Sequence, residues 1–217
     1  MFCQRSKDTV ITPIVTRRRM LVQGGGLLLA VAGLGSLAGC ADPAKPPPAP
    51  ILPHGQVWNL LVDRLDVEVA YVAPRAAPNI DHALSPTPTQ AAELWARQKL
   101  IAKGAPTPGV TARFIVRRAS IVEVALATPG GIRGLVADDP AFRYDAILEA
   151  DLEIRNATGF RDRQIAVRQD ATRTVKERAT YDERRAVWAD LVNDLIEQMG
   201  RSFDQAIPAN FGPVLTY

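Results

Sequence analysis

Two periodicities organise the chain between residues 57 and 207. The first has a period of two. In residues 65–71, Leu65, Val67, Val69 and Tyr71 share one side of an extended segment, and Asp66, Glu68 and Ala70 take the other. That is the alternation of a strand with one buried face. The longest such run is 142–155: Phe142, Tyr144, Ala146, Leu148, Ala150, Leu152 and Ile154 point one way, and Arg143, Asp145, Glu149, Asp151, Glu153 and Arg155 the other. One side of the sheet is therefore expected to be wet. Residues 156–159, Asn-Ala-Thr-Gly, are turn formers, and the segment after them returns as the partner strand. Residues 112–126 are equally rich in β-branched side chains, but their phase slips near Arg117 and Arg118. Phe114 and Val116 share a parity with Val122, Val124 and Leu126, whereas Ile115 and Ile121 fall on the other. A β-bulge there, or burial on both faces, accounts for the slip.

The second period is helical. Thr89 is read as the N-cap of a first helix that presents Ala92, Trp95 and Ile101 on one side and stops at Gly104. In the second helix Thr180 and Glu183 form a capping box and Asp182 adds negative charge to the first turn. Trp188, Leu191, Val192, Leu195, Met199 and Phe203 make its apolar stripe, and Pro208 is expected past its end. The stripe is assigned to the core, because the polar face mixes both charges and lacks the Lys-rich character of a membrane-surface helix. The element order is β-α-β-β-β-α. A helical crossover makes the first two strands parallel and short links make the later ones antiparallel. The expected fold is α+β: a two-layer sandwich with a four-stranded mixed sheet and two helices on one face.

Charge sharpens the picture upstream. The 217 residues carry 26 basic and 23 acidic side chains, a net of +3, with 47% apolar residues. Residues 1–40 hold Arg5, Lys7, Arg17, Arg18 and Arg19 against Asp8 alone, leaving 21 basic and 22 acidic groups elsewhere. The basic pI thus belongs to the N-terminal segment, and the rest of the chain offers no electrostatic case for nucleic acid. Arg17, Arg18 and Arg19 precede an apolar stretch whose uninterrupted part, 27–38, is about a dozen residues, the length of a signal-peptide core and short for a membrane span of about 20.

Leu37-Ala38-Gly39-Cys40, in register behind that stretch, resembles the lipobox of bacterial lipoproteins. The resemblance implies cleavage before Cys40, a diacylglycerol thioether on its sulfur and a lasting attachment to the membrane, since burial of each acyl methylene contributes about 0.8 kcal/mol. Residues 16–22, Thr-Arg-Arg-Arg-Met-Leu-Val, resemble the twin-arginine export motif, with an ordinary secretory signal as the alternative. Ala41, where inner-membrane retention usually places Asp, implies delivery to the outer membrane. The organisation that follows is a signal peptide over 1–39, a lipidated cysteine and proline-rich tether over 40–56, an α+β periplasmic domain over 57–207 and a tail over 208–217. Polyproline II in the tether would extend about 3 Å per residue.

Chemistry is sparse. Cys3 lies in the segment to be removed and Cys40 is the acylation site, which leaves no thiol for a disulfide, a nucleophile or a thiolate zinc site. Of the two histidines, His54 sits in the tether and His82 beside Asp81 in a proline-rich loop, where it could serve as ligand or base or simply be solvated. The carboxylates of 142–155 are accounted for by cross-strand pairing with the Arg and Lys of the next strand. No cofactor motif and no metal-ligand spacing is present. Residues 127–140 form a Gly- and Pro-containing loop without the phosphate-cradling pattern. Ile132, Arg133, Leu135 and Val136 make it the candidate binding loop, its apolar residues either folding back on the core or forming a contact surface. Phe211, Val214, Leu215 and Tyr217 pose the same choice at the tail.

The architecture over 57–207 is similar to that of the auxiliary lipoproteins of intermembrane lipid-transport ABC systems and of the outer-membrane activators of peptidoglycan synthases. The resemblance implies a noncatalytic binding or assembly component of the cell envelope, with the membrane and an envelope or transporter protein as partners. A hydrophobic-ligand carrier would instead need a cavity between sheet and helices, and a periplasmic hydrolase a deep pocket with displaced pKa values.

Overall fold

The computed structural model describes residues 55–127 and 140–216. Along the chain the elements are β1 (Trp58–Leu60), β2 (Arg64–Val69), α1 (Pro88–Lys99), β3 (Leu100–Ala102), β4 (Thr111–Ala125), β5 (Pro140–Arg155), β6 (Arg161–Lys176), α2 (Tyr181–Phe211) and β7 (Leu215–Thr216). The main sheet has the order β2-β4-β5-β6. β2 runs parallel to β4, as the crossover through α1 requires, and β4, β5 and β6 form an antiparallel meander. Both helices cover one face, giving the expected α+β sandwich.

Tyr144, Ala146, Leu148, Ala150, Leu152 and Ile154 of β5 are all sealed on the helix side. In β4 the pairing moves from Val116↔Ala150 to Arg118↔Glu149, so Arg117 is the extra residue of a bulge. The shift lets Ala112, Phe114 and Val116 before it and Ala119 and Ile121 after it all reach the same core. It also sends Val122 and Val124 to the opposite face. The turn between β5 and β6 is held by the Asn156 carboxamide oxygen, which accepts from the backbone N–H of Thr158 (3.1 Å) and of Phe160 (3.0 Å), with Gly159 at φ +83°.

Four boundaries differ from the sequence expectation. The α1 cap is Thr87, not Thr89: its hydroxyl accepts from the Gln90 N–H at 3.2 Å while the Gln90 side chain accepts from the Thr87 N–H at 2.9 Å. Pro88 then takes the first helical position, where its fixed φ fits and no N–H is needed. α1 ends at Lys99 rather than Gly104, because Leu100, Ile101 and Ala102 are drawn out to pair in parallel with β1. Together with β7 they build a second sheet of order β3-β1-β7, whose strands of two or three residues are too short for periodicity to reveal. Finally, α2 passes through Pro208 to Phe211. A proline inside a helix costs about 3 kcal/mol. Burying Ile207 and Phe211 completely on the continued stripe, each contributing about 1.5–3 kcal/mol, offsets it. Residues 208–216 are therefore an integral edge of the domain: Leu60 pairs with Leu215, the Leu61 N–H donates to the Val214 carbonyl at 2.8 Å, and Phe211 and Leu215 pin the segment to the core.

The layers meet at three rings. Trp95 of α1 stacks on Phe203 of α2 with centroids 5.2 Å apart, and Phe114 of β4 lies 5.9 Å from each. A ring contact of this kind contributes about 0.5–1.5 kcal/mol beyond its buried area. Trp95→Ala is expected to destabilise the domain by about 3–5 kcal/mol. Leu94→Ala, on the neighbouring position that is 39% exposed, should cost under about 1 kcal/mol. Denaturant titrations followed by circular dichroism would measure both.

Candidate functional site

Two features stand outside this core: the face of the sheet turned away from the helices and a pocket beside its parallel edge. On that face, formed by alternate residues of β2, β4, β5 and β6, arginines and carboxylates alternate among the described residues. Arg113 of β4 pairs with Glu68 of β2, Arg143 with Asp145 at 2.9 Å, and Arg168 of β6 with Glu149 of β5. At the bulge, Arg117 Nε donates to Asp151 at 2.8 Å. Its guanidinium also lies 3.8 Å from Glu153, which Arg155 (2.9 Å) and Arg161 (3.5 Å) approach from the other sides.

Three cations thus surround two carboxylates, and the face is not wet there as its polar pattern suggested: Asp151 is 8% exposed and Glu153 2%. Ile115, flanked on the same face by Arg113 and Arg117, is buried without belonging to the main core. Burial pushes the Glu153 carboxyl up. The hydrogen bond and charge of Arg155 and the charge of Arg161 outweigh that and hold it below the usual carboxylate range.

The pocket lies where β2 gives out. Beyond Ala70 the chain leaves β4 and returns at 78–80, where the Ile80 N–H donates to the Ile121 carbonyl (3.0 Å) and the Glu123 N–H to the Pro78 carbonyl (2.9 Å). This fixes the turn Asp81–Ala83 beside β4. Ala73, Arg75, Asp81, His82, Thr87 and Thr89 enclose about 440 Å³. Asp81 is 1% exposed, and neither carboxylate oxygen meets a hydrogen-bond donor among the described residues. Burial raises the Tyr71 phenol above its ordinary pKa, and the Asp81 charge raises it further against opposing hydrogen bonds to Ser120 and Asn79.

His82, exposed on the same turn, makes no triad with Asp81. Cys40, Arg17, Arg18, Arg19 and His54 lie outside the described residues, as do Ile132, Arg133, Leu135 and Val136 of the candidate binding loop and Tyr217 of the tail. Sequence reasoning missed Arg117 as the centre of the charged cluster, although the phase slip marked its position. It also missed the burial of Asp81, for which the only local signal was the preceding Ile80. Among the described residues no group of three His, Cys, Asp or Glu side chains could hold a metal ion, and no helix is long and apolar enough to cross a membrane.

A carboxyl held below its unfolded value of about 4.3 stabilises the fold above that pH and loses the contribution as pH falls through the lowered folded value. Glu153→Gln is therefore expected to cost about 1–3 kcal/mol near pH 7. The gap between wild type and variant should close as pH falls below the unfolded value and through the lowered folded one, read from urea unfolding at each pH.

No protein-family model matches the chain, and no curated protein does. Among solved structures it is similar to a minor lipoprotein from Acinetobacter baumannii, at 13% identity over 73% of this chain and 98% of that one, with a TM-score of 0.34. It is also similar to lipoprotein B from Nitrosomonas europaea, at 15% identity over 70% and 90%, TM-score 0.35. A DUF330 protein from Xanthomonas campestris aligns at 11% identity over 71% and 95%, TM-score 0.28.

Proposed function

We propose that this chain is a bacterial lipoprotein acylated on Cys40, exported through the Arg17-Arg18-Arg19 signal and held on the periplasmic face of the outer membrane. There it acts as a noncatalytic binding or assembly component of the cell envelope. The observation that carries the reading is the Leu37-Ala38-Gly39-Cys40 box, set at the end of an apolar stretch and followed by a run of prolines before the first strand. The anchor makes the domain a surface-bound module, because two or three acyl chains each add about 0.8 kcal/mol per buried methylene.

The geometry favours binding over carriage. The space between sheet and helices is filled by Trp95, Phe114, Phe203, Leu195 and Met199, all fully buried, which supports a packed scaffold. What the scaffold presents is the sheet face turned away from the helices, with arginines and carboxylates held in pairs across β2, β4, β5 and β6. Charge of both signs in a set pattern suits a protein partner of complementary pattern, since such patterns set register and discriminate partners. The partner is an envelope or transporter protein that meets this face.

Cells grown with labelled palmitate should incorporate label into the wild-type chain and not into Cys40→Ala, and the variant should leave the membrane fraction. Persistent labelling of Cys40→Ala overturns the anchor. A photo-crosslinking residue at exposed Arg168 should capture a protein that the same residue at exposed Arg97, on α1, does not. Equal capture at both positions would place the interface elsewhere.

A further inference from the structure

β6 ends the order β2-β4-β5-β6, so among the described residues it pairs with β5 alone, and the backbone N–H and C=O groups on its other side meet no strand. Sheet edges are normally blunted by brevity, by proline, by a bulge or by charge that repels a second strand. β6 is 16 residues long and holds neither Pro nor Gly, and its bulge lies between Arg161 and Arg163, which leaves 163–175 regular. Its even-numbered side chains are exposed, apart from half-buried Gln164. α2 does not close this edge. Gln169 and Arg173 of β6 meet the helix at Ser202 and Asp194, beside its apolar stripe rather than on it, which sets the stripe inboard of the strand.

The order of charges along β6 selects what fits beside it. In an antiparallel pair, opposed residues either both turn their backbone groups toward the neighbour or both turn them away. A copy of β6 can therefore pair with itself only in a register centred on a residue. Centring on Arg168 sets that guanidinium against itself and Arg163 against Arg173, and centring on Asp170 opposes two carboxylates. Centring on Gln169, the midpoint of 163–175, places Arg168 of each copy opposite Asp170 of the other. Val167 then faces Ala171, Ile165 faces Arg173, and no like charges are opposed. Arg168 would stand between Glu149 of its own β5 and Asp170 of the second copy, a carboxylate for which the described residues supply no ion pair.

We propose that two copies of this chain pair antiparallel through β6 about Gln169, joining their two four-stranded sheets into one continuous sheet. Over 163–175 such a pair forms about a dozen backbone hydrogen bonds, and the two Arg168–Asp170 pairs at its centre fix the register. A second copy is the occupant because the complementarity is that of β6 to itself, and two-fold symmetry satisfies both halves at once. The inference rests neither on an anchor at Cys40 nor on a partner at the charged sheet face.

Sedimentation equilibrium of the full-length chain in density-matched detergent tests the pairing, and the wild type should be a dimer. Asp170→Arg opposes arginine to arginine at both central positions, and Arg168→Asp opposes aspartate to aspartate. Each variant alone should weaken the dimer at least about tenfold. Mixed in equal amounts, the two variants again oppose arginine to aspartate and should recover the association as a heterodimer, which damage to the fold would not allow. A wild-type chain that stays monomeric up to about 100 μM overturns the proposal and leaves the edge to a strand of another protein. A dimer untouched by either substitution, or variants that stay apart when mixed, overturns it as well.

Discussion

Alternate residues of β5, from Tyr144 to Ile154, are closed off beneath the helices, and a helix stripe of more than six turns, from Trp188 to Phe211, is spent on the same surface. α2 lies along β6 with its direction reversed: Arg163 donates to the Asn210 carbonyl, Gln169 to Ser202, and Arg173 pairs with Asp194. Those contacts fix the helix against the sheet at three heights. With one face committed in this way, a period of two leaves the other face no choice but to carry the polar half of every strand.

That obligation explains the charged lattice. Strands 15 or 16 residues long make that face wide, and arginines paired with carboxylates occupy it. The bulge at Arg117 matters here as much as in the core. It restores the phase of β4 for Ala119 and Ile121 and at the same moment lifts a guanidinium over Asp151 and Glu153. One inserted residue therefore serves packing on one face and electrostatics on the other.

The ends of the domain are secured by polar contacts of a different kind. Asp204 of α2 accepts from the Trp58 indole at 2.9 Å and from the Gln56 N–H, so the first described residues are tied to the last helix, while β7 adds a strand beside β1. The segment that follows any tether thus enters the fold at a fixed place. Across the molecule, the loop between β2 and α1 is held to the edge of β4 and carries Asp81 inward, which makes the pocket a product of backbone pairing rather than of a flexible loop.

Local pattern determined a good deal of this protein. The alternation in 142–155, the capping box of Thr180 and Glu183, the Asn156 turn and the stripe from Trp188 to Phe203 each repeat often enough, or sit close enough in sequence, to specify their element and its buried side unaided. The phase slip near Arg117 was legible for the same reason, and the pairing shift between Val116 and Arg118 decided between a bulge and burial on both faces. Only the tertiary structure decided what depends on distant partners. Leu100 to Ala102 leave the helix because β1 offers them hydrogen bonds. Pro208 stays inside α2 because Ile207 and Phe211 find a core to enter. Glu153 is buried because arginines from β4, β5 and β6 converge on it, and Asp81 because a returning loop presses it inward. Periodicity encodes which face a residue takes; it does not encode which residues, tens of positions away, will stand opposite.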